Sequence, residues 1–139
     1  MKACERNEKF AAAWAAACEA GDRAAAACRP AAMIVEQHAD MTDDSSPVKR
    51  AWIVPGGPCG FAWISIHPAN SSFGLWAKKT FGLRRSYGGG LTISSKFSPG
   101  NSLVQSLALN EAWCHAAVES LRASGVLGNA RVYAESRID

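Results

Sequence analysis

The side chains of this sequence with the chemistry to ligate a metal or attack a substrate are three histidines, His38, His67 and His115, and five cysteines, Cys4, Cys18, Cys28, Cys59 and Cys114. Their spacing suits neither task. Structural zinc sites draw on C-x-x-C pairs or on histidines one helical turn apart, and the chain has no C-x-x-C and no H-x-x-x-H. Cys114 and His115 are neighbours, so on a helix they point in different directions. A nucleophilic thiol needs a base or a helix N-terminus to become a thiolate. Cys59, between Pro58 and Gly60, is the cysteine placed in a loop, and the sequence assigns it no base; it reads as a small residue in a tight turn. Cys18, Cys28 and Cys114 read as small apolar fillers on helices. His67 ends a strand ahead of Pro68 and reads as structural. Glu111, Glu119 and Glu135 stand singly, and neither a phosphate-binding glycine motif nor a G-x-S-x-G elbow occurs. The expectation is a protein with no catalytic residues, no metal ligands and no cofactor.

A local constellation that can bind lies between Lys78 and Gly90, KKTFGLRRSYGGG. Lys78, Lys79, Arg84 and Arg85 put four cations into eight positions. Cations of this kind neutralise phosphates, Tyr87 can stack on a base, and Gly88-Gly89-Gly90 lets backbone amides approach an anion. The same residues would suit an acidic protein surface, where Arg and Tyr are favoured anchors. A third reading is an ordinary solvated loop whose lysines sit at a helix C-terminus and interact with its dipole.

The elements that must position this loop follow from residue pattern. Glu5 to Arg29 is dominated by Ala, the best helix former, and Pro30 is a stop signal. Phe10, Trp14, Cys18, Ala25 and Cys28 recur at helical spacing; the stripe either covers the protein's own sheet or offers Phe10 and Trp14 to a partner or to a second copy of the chain. Met33 to His38 is a short strand. Ala39 to Pro47, ADMTDDSSP, lacks an apolar period and reads as a solvated linker separating the first section from the rest. Lys49 to Val54 and Phe61 to His67, joined by PGGPCG, predict a hairpin. In the second of these strands Phe61, Trp63, Ser65 and His67 alternate with Ala62, Ile64 and Ile66, which predicts a central strand covered on both faces.

Asn70 or Ser71 then caps a short helix running to about Phe81, with Phe73, Trp76 and Ala77 on one side and Lys78 and Lys79 on the other. Leu91 to Lys96 alternates like a strand, and Ser98-Pro99-Gly100-Asn101 is a turn. Leu103 to Ala123, capped by Asn101 or Ser102 and followed by Gly125, is a helix with Leu103, Leu107, Cys114, Ala117 and Leu121 on one face. Arg131 to Ser136 is the last strand. The fold class is α+β: a single domain over residues 1–139, with an Ala-rich helix in 1–32 and a body in 33–139 whose mixed or antiparallel sheet of about four to five strands packs with helices.

Composition agrees with folding: 48% of residues are hydrophobic and 19% charged, whereas disorder needs low hydrophobicity and high net charge. A net charge of +3 is far below that of a dedicated polyanion binder, so a nucleic-acid role must rest on local clustering. The odd, scattered cysteines fit reduced thiols in a cytoplasm. The Ala-rich run is broken by Glu19, Asp22 and Arg23 before a membrane-spanning length is reached, so neither a signal peptide nor a membrane span is expected.

Four stretches, Cys59-Gly60-Phe61-Ala62-Trp63-Ile64, Pro68-Ala69-Asn70-Ser71-Ser72-Phe73, Tyr87-Gly88-Gly89 and Tyr133-Ala134-Glu135-Ser136-Arg137-Ile138-Asp139, make the C-terminal two thirds resemble small proteins encoded by tailed bacteriophages and prophages. The Ala-rich helix lies outside the resemblance, and Leu107-Ala108-Leu109-Asn110 departs from it where the relatives carry basic residues. No activity attaches to that set. The resemblance implies a phage-like origin and nothing about chemistry. By analogy with small phage proteins that lack an active site, and with the missing catalytic set and the basic 78–87 segment, the expectation is an accessory protein that acts in the host cytoplasm by binding and inhibiting a host protein or nucleoprotein, an anti-CRISPR-like inhibitor in its sharpest version. The alternative expectation is a nucleic-acid or nucleotide binder using the basic Gly/Tyr loop.

Overall fold

In the computed structural model, which describes residues 2–96 and 105–139, the Ala-rich segment forms α1 (Ala3–Ala27). Phe10, Ala13, Ala17, Gly21 and Ala25 recur every three or four positions and are buried, but beyond Phe10 the stripe faces another helix rather than the sheet. That helix is α3 (Leu107–Ala123). Its Trp113 is fully buried against Gly21, where a Cβ would come within 2.7 Å of the indole ring. The indole Nε1 donates to Asp22 Oδ1 at 2.9 Å. Phe10 lies inside the core, edge-on to Phe73 at 5.4 Å. Trp14 is half-buried between Phe81 and Trp113. A partner contact through Phe10 would require opening the core, so this stripe serves the chain's own packing.

Two separate antiparallel sheets follow. β1 (Met33–His38) pairs with β2 (Val48–Val54), and β3 (Gly60–His67) stands between β4 (Leu91–Ser94) and β5 (Arg131–Ile138). The hairpin expected between β2 and β3 does not form. Gly57 N donates to Val54 O at 3.0 Å in a tight turn with Gly57 at φ +71°. Pro55 and Pro58, flanking that turn, have no N–H for a ladder. The backbone of 58–60 instead pairs with 105–107: Gly60 N donates to Gln105 O at 2.9 Å and Leu107 N to Pro58 O at 3.1 Å.

The stretch read as a linker, residues 39–47, is the loop joining β1 to β2. Asp40 Oδ1 accepts from the backbone and hydroxyl of Thr42, and Asp43 Oδ1 accepts from those of Ser45. These bonds hold both carboxyls below their ordinary pKa, as acceptor bonds favour the ionised form.

α2 (Ser72–Phe81) begins at Ser71, whose Oγ accepts from Gly74 N at 3.0 Å, and ends at Gly82 in the left-handed region, φ +65°. Ser106, not Asn101 or Ser102, caps α3, because 105 and 106 belong to the pairing with 58–60. The expected turn at Ser98–Asn101, the two expected caps and Leu103 lie outside the described residues.

The core is formed by Ala62, Ile64 and Ile66 of β3, Leu91 and Ile93 of β4 and Val132 of β5 against Phe73, Ala77, Trp113, Cys114, Ala117, Val118 and Leu121. The chain is therefore an α+β fold, with an antiparallel sheet whose helices gather on one face. No helix among the described residues is long and apolar enough to cross a membrane.

Replacing Gly21 by Ala should raise helix propensity by roughly 1 kcal/mol while overpacking the Trp113 ring at a cost of about 1–3 kcal/mol. The expected net effect in urea denaturation is a lower midpoint with an unchanged slope. A midpoint equal to or above wild type would show that the indole has room to shift.

Candidate binding surface

The structure separates the residues that the sequence grouped between Lys78 and Gly90. Lys78 and Lys79 project from the last turn of α2, and Gly82 then reverses the chain. Arg85 forms a bridge to Leu91, so the segment after it is a short return loop along the outer edge of β4. Ser86 closes that loop through its backbone N–H and its hydroxyl, both donating to Gly90 O, at 2.7 and 2.9 Å. Tyr87 stands at the tip, fully exposed. Arg84 and Arg85 are exposed at the base.

The loop borders a larger surface that the sequence reading had covered over. β3 is central, as expected, but the described helices cover only its Ala62, Ile64 and Ile66 side. On the opposite face lie Phe61, Trp63, Ser65 and His67, with Thr92 and Ser94 from β4 and Arg131, Tyr133, Glu135 and Arg137 from β5 in register beside them. Phe61 is 50% exposed and Tyr133 40%. An antiparallel sheet with all its helices on one side leaves its other face to solvent or to a partner, and polar residues are the usual occupants there. Here large rings occupy it.

Contacts across the strands fix these rings. The indole Nε1 of Trp63 donates to Glu135 Oε2 at 3.0 Å, and the Ser65 hydroxyl donates to the same oxygen. The Arg137 guanidinium lies over the Phe61 ring, 5.9 Å from its centroid. At the other end His67 is tilted against Tyr133 at 6.4 Å and covers Gly90, where a Cβ would run into the imidazole. Gly90 thus seats the basic loop beside this face. Arg122 reaches from the end of α3 to place its guanidinium 5.7 Å from the Tyr133 ring while donating to Val132 O. An open depression of about 550 Å³ lies at the Phe61 end, bounded by Trp63, Ser94, Gln105 and Arg137.

The groups that could carry reactive chemistry are engaged separately. Cys114 is fully buried in α3, and burial pushes its thiol up to about 12. Burial also raises Cys18, with Asp22 adding to the effect. His38 Nδ1 contacts Ser46 O at 2.8 Å, and its Nε2 lies 3.5 Å from Glu36. Cys59 is exposed. Among the described residues no three His, Cys, Asp or Glu side chains gather at metal-binding range.

The sequence does segregate charge along the chain, in a stretch that includes the loop beside the open face. From Ser45 to Asn110 there is no Asp or Glu, while Lys49, Arg50, Lys78, Lys79, Arg84, Arg85 and Lys96 all fall there. Six of the acids instead lie on α1 and α3, on the far side of the sheet: Glu5, Glu8, Glu19, Asp22, Glu111 and Glu119. The three helices together also hold Arg6, Lys9, Arg23, Lys78, Lys79 and Arg122, so their charges balance and the chain's positive excess lies outside them. No family model, curated protein or solved structure matches the chain.

A thiol whose pKa is raised from 9.0 to about 12 by folding stabilises the native state fully below the unfolded value and progressively less above it, since only the unfolded chain then ionises. Between pH 9 and 12 wild type should lose about 1.4 kcal/mol more per pH unit than Cys114→Ala does. Parallel stability curves for the two proteins would contradict the burial argument.

Proposed function

We propose that this protein acts by binding a macromolecule through the open face of β4, β3 and β5, and that it is not a catalyst. The observation that carries the reading is the set of exposed rings and guanidinium groups, Phe61 and Arg137 at one end and Tyr133 and Arg131 at the other with Trp63 and Glu135 between them, on a sheet face without a described helix over it. Arg and aromatic side chains are the commonest anchors of binding surfaces, because they bury large area with little loss of conformational freedom. Glu135 is bound to Trp63 and Ser65, and Cys114 is held neutral by burial. Both are therefore occupied structurally, which favours binding over turnover.

The resemblance to small proteins of tailed phages supports a finer version, in which the chain docks on a host protein or nucleoprotein and blocks it, as anti-CRISPR proteins do. A surface joining aromatic rings to arginines suits such a target, which presents both polypeptide and nucleic acid.

The test is capture from bacterial lysate with identification of bound protein and nucleic acid together, using wild type and Arg131→Ala/Arg137→Ala. Both side chains are exposed, so the variant should keep the far-ultraviolet circular dichroism and melting temperature of wild type while recovering at least tenfold less partner. Equal recovery by a folded variant would remove this face from the function.

A further inference from the structure

We propose that the ligand of the open sheet face is single-stranded nucleic acid, with bases stacked on Phe61 and Tyr133 and phosphates neutralised by Arg131, Arg137 and the adjoining Arg84 and Arg85. The inference rests on the binding role proposed above and names its ligand class.

Charge complementarity selects the class. The face and its margins hold Arg84, Arg85, Arg131 and Arg137 against Glu135 and Asp139, and one oxygen of Glu135 already accepts from Trp63 and Ser65. Most of the remaining acids lie on α1, α3 and residues 36–44, away from this surface. The helices set Arg6, Lys9, Arg23, Lys78, Lys79 and Arg122 against their own acids and carry no net charge, so a polyanion approaching the molecule is drawn to this side rather than to the helical one.

Ring geometry selects a single strand over a duplex. Phe61 and Tyr133 project from adjacent strands of a sheet, so they form a platform rather than a probe that enters a groove. A platform can stack only on bases whose faces are free, and a duplex hides them. Arg131 and Arg137 stand at opposite ends of β5, roughly 20 Å apart at the usual strand rise, which leaves room for two or three bases between them. Tyr87 is exposed at the tip of the loop whose Gly90 lies against His67, a further ring near the end of β3.

The test is fluorescence anisotropy with labelled dT12 and rU12 single strands, a blunt 12-base-pair duplex and poly-glutamate, each across a salt series. Wild type should bind at least one single strand at least tenfold more tightly than the duplex or poly-glutamate. Arg131→Ala/Arg137→Ala should flatten the slope of log K against log salt by about 1.4, since each phosphate contact on a single strand contributes about 0.7. Phe61→Leu and Tyr133→Leu should each weaken binding by roughly 5- to 100-fold and leave that slope unchanged. This contrast separates stacking from charge, and circular dichroism on all variants excludes misfolding as the cause.

Equal affinity for duplex and single strand, or a slope that responds to Arg84→Ala/Arg85→Ala and not to the β5 pair, would overturn the proposal. Tight binding of poly-glutamate in place of oligonucleotides would also overturn it, while leaving the face as a binding surface for protein. Binding of no oligonucleotide, with a lysate protein still lost in the β5 variant, has the same meaning: the nucleic-acid inference fails and the binding role stands.

Discussion

Gly21 and Trp113 meet at a separation that only a glycine permits, and this contact fixes how α1 lies along α3. Sliding α1 by one turn would bring Ala17 or Ala25 to the indole and put a methyl group where the ring now sits. The buried ring also carries an N–H, which would be left without a partner unless Asp22 stayed alongside it. Steric fit and hydrogen bonding thus select the same register. From that register Phe10 reaches Phe73 and Trp14 reaches Phe81, which ties α2 to the same side as α3. With the three helices drawn together, the far side of β3 has no described helix over it.

The side chains on that side show that a strand with apolar residues on both faces has more than one solution. Burial between two layers is one. The other is a surface in which the rings are braced by neighbours in the sheet: Trp63 by Glu135, Phe61 by Arg137, Tyr133 by Arg122. Bracing of this kind limits the motion of each ring before a ligand arrives, so less conformational freedom is lost on binding. The distribution of charge works with it, since Arg131 and Arg137 flank the single carboxylate of Glu135 on β5, and that carboxylate is held by Trp63 and Ser65.

Local signals in the sequence located the elements well. Ala content and Pro30 marked α1, Ser71 and Gly82 bounded α2, and strict alternation marked β3 and β4, because each depends on backbone preferences a few residues long. Pairing was harder to read. The glycines and prolines of PGGPCG do make a turn, but which strand β3 joins depends on 105–107 and on β5, far along the chain, and no local pattern encodes those partners. The acidic loop looked like a linker since it lacks apolar residues, yet its Asp and Ser side chains hydrogen-bond to the backbone and close a hairpin. For the surface, Lys78 to Tyr87 was legible as a charged run. Phe61, Tyr133, Arg131 and Arg137 were not, because they come together only through the β3–β5 register.

The β1–β2 ribbon has little of the shared core behind it: Ile34 is 66% exposed and Ile53, its direct partner, 65%. Two strands alone are marginally stable in water. Their ladder can therefore part and close again while the aromatic core stays intact, whereas the amides of β3, held between two neighbours, come free only when the whole sheet melts. Backbone hydrogens in this one chain accordingly trade with solvent on two clocks, a fast one for the ribbon and a slow one for the platform.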